Sequence, residues 1–168
     1  DAEFYVKENL KIAKDKATAE VTAAYFYIMT RKALLGAKHI NNAAALEPRL
    51  YKTLVPIMAY AMIGMTHEDR QNHQALKLII DNLIEKQPKE VLTWRLEGMR
   101  LIYFDGANQG AMARVRENLS ILTRENTRLP EDHLLLFIAS WSAYGIREAN
   151  KDIIFVVTAE QAREVIGH

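Results

Sequence analysis

The stretch "TWRLEGMRLIYFDG", residues 93–106, places Trp94 four positions before Gly98 inside a run that otherwise reads as a helix. A glycine inside a helix costs about 1 kcal/mol relative to alanine. Gly98 is therefore either an indifferent substitution or a point where a second helix crosses too closely for any side chain. The second reading makes the surrounding sequence coherent.

Working outward, the chain reads as helices throughout. Residues 2–16 are amphipathic, with Val6, Leu10, Ala13 and Ala17 on one face and Lys7, Lys11 and Lys14 on another. A second helix is expected from about Thr18 to Leu35, ended by Gly36 as a C-terminal cap. A shorter one follows over about 38–46. Pro48 opens a helix where its missing N–H costs nothing, running to about Met65, with Pro56 kinking it or marking its true start. Thr66 and Asp69 suggest a capping box for a helix bearing Leu76, Ile80 and Leu83 that ends near Lys86. Pro88 opens the next, to Phe104, and Asp105-Gly106 turns the chain. Met112, Val115, Leu119 and Leu122 mark a helix ending near Asn126, and Pro130 opens another through Tyr144. "IIFVV", residues 153–157, has extended propensity but no partner strand, so it reads as a helix end or buried connector. Thr158 with Gln161 caps a last short helix.

Pro48, Pro88 and Pro130 are 40 and 42 residues apart, and each precedes a pair of helices. Self-similarity at that period marks a solenoid of helical hairpins. Residues 53–67 and 133–146 carry no charge, as expected of helices packed between neighbours. The expectation is an all-α single domain, residues 1–168, of stacked antiparallel hairpins at about 2–46, 48–87, 88–129 and 130–168.

Trp94-x-x-Glu97-Gly98-x-x-Leu101 resembles the tetratricopeptide repeat pattern W-x2-L-G-x2-Y. Neighbouring units align as Leu54-x-x-Ile57-Met58-x-x-Ala61 and Leu136-x-x-Ala139-Ser140-x-x-Ala143, so Ser140 keeps the small residue and Met58 does not. Glu97 stands where that family has Leu, and the period exceeds the family's usual length of about 34 residues. The resemblance covers residues 18–145. It implies that the small residue lets the two helices of a hairpin approach closely, and that other first-helix positions line a concave groove. Those positions include Lys52, Met62, Arg95, Met99, Tyr103, Phe137, Trp141 and Tyr144. Phe137, Trp141 and Tyr144 share one helical face, as do Arg95, Met99 and Tyr103 one unit earlier. In clamp-bearing members Lys and Asn on that face hold a peptide C-terminus; here Met99 follows Arg95, so that clamp is not expected.

Composition narrows the function. The 168 residues hold 22 basic and 21 acidic side chains, a net charge of +1, and neither half is polarised. Global attraction to nucleic acid or anionic membrane has no basis in such a balance. The longest uncharged run, Thr53 to His67, contains Pro56 and is shorter than the roughly 20 apolar residues a membrane helix needs. There is no cysteine, which excludes disulfides and thiolate metal sites. The chain begins at Asp1, which reads as a trimmed or mature form and fixes neither compartment nor oligomeric state.

No reaction suggests itself. His67 and His73 are six apart, about 240° around a helix, where a zincin pair needs an i, i+4 spacing on one face. The loop "DGANQG", residues 105–110, has one carboxylate and no P-loop Lys, and reads as a turn with Asn108 as a cap. The acidic residues appear scattered singly over helix surfaces, so no catalytic pair, metal site or cofactor is expected. Arg114, Arg116, Arg124 and Arg128 interleave with Glu117 and Glu125, lack an aromatic platform and read as a solvated outer face. The expectation is a non-enzymatic protein–protein interaction module, a chaperone, assembly factor or regulatory domain that binds a partner's peptide or helix. The alternative is a small-molecule-sensing helical domain whose cavity is lined by Met58, Met62 and Met65.

Overall fold

The computed structural model describes residues 1–64, 70–123 and 128–145. Every element among them is helical: α1 (Ala2–Ile12), α2 (Lys16–Met29), α3 (Ala33–Leu46), a 3-10 turn (Pro48–Tyr51), α4 (Leu54–Ile63), α5 (Arg70–Lys86), α6 (Val91–Phe104), α7 (Gln109–Leu122) and α8 (Pro130–Tyr144). They form two compact units, Asp1–Pro88 and Lys89–His168. No helix among the described residues is long and apolar enough to cross a membrane.

In the first unit α1 lies on α2, α2 pairs with α3, and α5 packs against both α3 and α4. The α2–α3 pairing is built from small residues. Ala19, Ala23 and Ala24 on α2 and Ala33, Gly36 and Ala37 on α3 are all buried. A Cβ on Gly36 would sit 2.5 Å from Ile28 Cγ1 and 3.0 Å from the Ala24 carbonyl oxygen. Gly36 is thus a contact point inside α3 and not the end of the preceding helix. The helix expected over 18–35 breaks instead at Thr30–Lys32. There Arg31 adopts φ 61 and the Lys32 N–H closes on the Tyr27 carbonyl at 2.7 Å. A left-handed arginine has no sequence signature, because that conformation is ordinarily signalled by Gly or Asn.

Pro48 opens only a 3-10 turn, and the true helix start is set by Pro56, which sits in the first turn of α4 where no N–H is needed. Pro88 lies ahead of α6, which begins at Val91.

In the second unit α6 and α7 form a hairpin, and α8 packs on both. Gly98 is where the three meet: an added Cβ would lie 3.0 Å from Leu135 Cδ2 on α8 and 3.2 Å from Val115 Cγ1 on α7. Asn108 caps α7 as expected, accepting the Ala111 N–H at 3.3 Å. Pro130 is the first residue of α8, and Asp132 one turn in accepts the Leu129 N–H at 2.9 Å. Met65, the Thr66–Asp69 box, His67, Arg124, the run 153–157 and the Thr158–Gln161 box fall outside the described residues.

Candidate interaction surface

The expected groove residues separate by environment. Met62 is 0% exposed and packs the core of the first unit with Val55, Met58 and Ala59, so it offers no surface to a partner. Met58 and Met62 are core-filling side chains in that packing. Lys52 is exposed just after the 3-10 turn.

In the second unit, Arg95 is engaged within the protein. Its Nε and Nη2 donate to both oxygens of Asp132 at 2.5 and 2.8 Å. Asp132 is fully buried. Burial alone would raise its carboxyl. The Arg95 hydrogen bond and that of the Leu129 N–H outweigh burial and hold the group below its ordinary value. Arg95 is therefore the bolt between α6 and α8, and a fork for an incoming carboxylate must come from elsewhere. Met99 is half-buried and Tyr103 exposed on the same helix.

α8 itself carries the exposed surface. Leu134, Trp141 and Tyr144 are 57, 56 and 54% exposed, and Phe137 and Ile138 between them are half-buried. The Phe137 and Trp141 rings lie 5.9 Å apart. The opposite face of α8 holds Asp132, Leu135, Leu136, Ala139 and Ala143 in the core. Asp132 and Leu135 face α6 through Arg95 and Gly98. Ser140 faces α7, accepting a hydrogen bond from Arg116 Nε at 2.6 Å. Phe137 and Tyr144 lie within about 60° of Ser140 around the helix, so they lean toward α7. The guanidinium of Arg116 lies 5.1 Å from the Tyr144 ring centroid. Phe137, Trp141 and Tyr144 thus look outward and toward α7, while Arg95 points to the other flank of α8. The two expected stripes lie on different flanks.

The arginines of α7 are not a merely solvated row. Arg114 lies over the buried Trp94 ring at 5.4 Å, and Arg116 joins Ser140 and Tyr144. Arg128 donates to Thr123.

Several carboxylates are also partnered. Glu97 is buried and receives Nε and Nη2 of buried Arg100 at 2.8 and 3.1 Å, while Arg100 Nη1 reaches Asp105 at 2.5 Å. Glu97 is tolerated in this buried position because its charge is met by Arg100. In the first unit Glu20 sits 2.6 Å from His39 Nδ1, with Tyr27 stacked on the imidazole at 5.2 Å. His39 and Glu20 are 19 positions apart and carry no motif. His73 is half-buried at the edge of the Leu76–Ile80–Leu83 core stripe. Among the described residues no three His, Asp or Glu side chains are grouped to hold a metal ion.

Set beside known proteins, the chain matches no protein-family model, no curated protein and no solved structure.

Proposed function

We propose that this chain is a protein–protein interaction module built from stacked, tetratricopeptide-like helical hairpins. It receives a helix or peptide of its partner on the outer face of α8 and acts as a chaperone, assembly factor or regulatory domain. The mechanism is burial of apolar anchors on a preformed surface, without chemistry. The repeat arrangement is supported by Gly98, whose missing side chain lets α7 and α8 approach α6, and by Ser140 at the equivalent place in α8, which is fully buried.

The observation that carries the reading is the one-sidedness of α8. A helical run without charge, such as α8 from His133 onward, is expected to be covered all round, yet Leu134, Trp141 and Tyr144 are more than half exposed. A contiguous apolar stripe left in water is the usual mark of an interaction site. Trp is large and cheap to immobilise, and such an anchor commonly carries about 2 kcal/mol or more of binding energy. The test is capture of partners from the source lysate by wild type and by Trp141→Ala, with folding checked by circular dichroism. We expect a folded variant that loses its partners. A folded variant that captures the same partners undiminished overturns the reading.

A second reading, a small-molecule-sensing domain, draws on a different place. An open cleft of about 410 Å3 in the first unit is lined by Asn41, Asn42, Asp81 and Asn82 together with the apolar surfaces of Ala45 and Leu78. Asn41 Oδ1 is buried there without a hydrogen-bond partner. Such a lining suits a ligand with an apolar body and a few polar donors, rather than the wholly apolar one a methionine-lined cavity would take.

A further inference from the structure

The charge beside the α8 stripe narrows the kind of partner. Arg116 on α7 is half-buried. Its Nε is fixed by the hydroxyl of fully buried Ser140 at 2.6 Å, and its guanidinium lies over the exposed Tyr144 ring at 5.1 Å. Unlike Arg95 and Arg100, which each hold a carboxylate, Arg116 has no acidic partner among the described residues. It is a cation held in place at the margin of an apolar face, with its remaining N–H groups uncommitted to any carboxylate of the described residues. A half-desolvated guanidinium in a fixed orientation favours an anion more than a mobile surface lysine does.

Resting on the proposed use of α8 as an interaction surface, we infer that its partner is an acidic amphipathic helix. Its apolar face lies along Leu134, Phe137, Ile138, Trp141 and Tyr144, and a carboxylate on its flank reaches Arg116. A helix fits better than an extended strand. The stripe follows one helical face for three turns, about 15 Å, and presents ridges for another helix to pack into. α8 has no free sheet edge with which a strand could pair. A nucleic acid would need a row of such cations, but Arg114 lies over the Trp94 ring and Arg128 is turned to Thr123. Arg116 is then the residue that selects the sign of the partner's charge, while Trp141 supplies affinity for either sign.

The test uses two synthetic amphipathic helices of about 18 residues, or five turns. They share one Leu/Ala face and carry either Glu or Lys on the polar face. Binding to the full chain is followed by calorimetry. The acidic peptide is expected to bind at least about tenfold more tightly than the basic one. That preference should shrink as salt rises and vanish in Arg116→Gln, which keeps a donor toward Ser140. Trp141→Ala should weaken both peptides alike. If Arg116→Gln does not fold by circular dichroism, the peptide preference of wild type and its salt dependence decide the matter. Equal affinity for the two peptides, lost together in Trp141→Ala, overturns the inference and leaves the interaction surface standing. Acidic-peptide binding untouched by Trp141→Ala means bare charge attraction and also overturns it. If neither peptide binds, the inference fails together with the reading of α8 on which it rests.

Discussion

Replacing Gly98 separates two opposing effects of similar size. Alanine at an interior helix position is favoured over glycine by about 1 kcal/mol. Against that gain, the new Cβ would lie 3.0 Å from Leu135 Cδ2 and 3.2 Å from Val115 Cγ1, closer than ordinary van der Waals contact. Both are ends of side chains and can yield by a few tenths of an ångström, so Gly98→Ala should change stability by less than about 1 kcal/mol. Leucine has nearly the same propensity gain, but its three further carbons must enter the space already filled by Leu135 and Val115. Overpacking of that kind costs about 1–3 kcal/mol, so Gly98→Leu should fall clearly below both wild type and Gly98→Ala. Urea denaturation followed by tryptophan fluorescence is the assay, because Trp94 and Trp141 both lie in the second unit and Trp94 is buried. A midpoint for Gly98→Leu equal to or above that of Gly98→Ala refutes the helix-crossing argument.

Gly36→Ala should be worse than Gly98→Ala. Its Cβ would meet the Ala24 carbonyl oxygen, which is backbone, as well as Ile28; a loss of about 1–3 kcal/mol in a far-ultraviolet circular dichroism melt is expected. Asp132→Asn should destabilise by about 2–3 kcal/mol at neutral pH, since it weakens a buried, bidentate charge-assisted pair. The Asp132 carboxyl is depressed in the folded state, so its contribution is present above the unfolded-state value near pH 4 and is lost as pH falls toward the folded value. The gap between wild type and Asp132→Asn should therefore be wide at pH 7 and close below about pH 4; a gap that widens on acidification contradicts the assignment. Neither EDTA nor added zinc should move the melting temperature, and a zinc-dependent rise abolished by His73→Ala would reveal a metal site that His73 helps to form.

The parts of the fold that could be read in advance are those whose signals are local. Pro130 and the uncharged run after it define α8, the Asn108 side chain defines the start of α7, and Gly98 marks a crossing because glycine has few other reasons to stand there. The turn between α2 and α3 could not be read the same way. It runs through Thr30, Arg31 and Lys32, none of them a turn-former by composition, and Arg31 takes the left-handed conformation there. Gly36 was legible as a special position, but its two meanings, cap and contact, differ only in what lies across from it. The same limit applies to Arg95. Its partner Asp132 is 37 positions away, and nothing near Arg95 announces that its fork is already occupied.

Charge and burial part company in this chain, and that bears on where a partner binds. α6 carries Arg95, Glu97 and Arg100, yet Glu97 and Arg100 are among its buried residues. Burying such charges is tolerable only when each is paired and hydrogen-bonded, and Glu97 with Asp105 supplies that for Arg100. α4, and α8 beyond its first turn, carry no charge and still leave apolar side chains in water: Ile57 and Tyr60 on α4, Leu134, Trp141 and Tyr144 on α8. An uncharged sequence shows only that nothing forbids burial, whereas the structure shows which faces are actually covered. Between the two exposed faces, apolar area alone does not choose. α8 has the tryptophan, the longer stripe and, at its margin, a guanidinium fixed by Ser140 with no carboxylate among the described residues to answer it. A partner that buries α4 gains area only, while one that buries α8 can also neutralise Arg116, and that second term is what makes a surface selective.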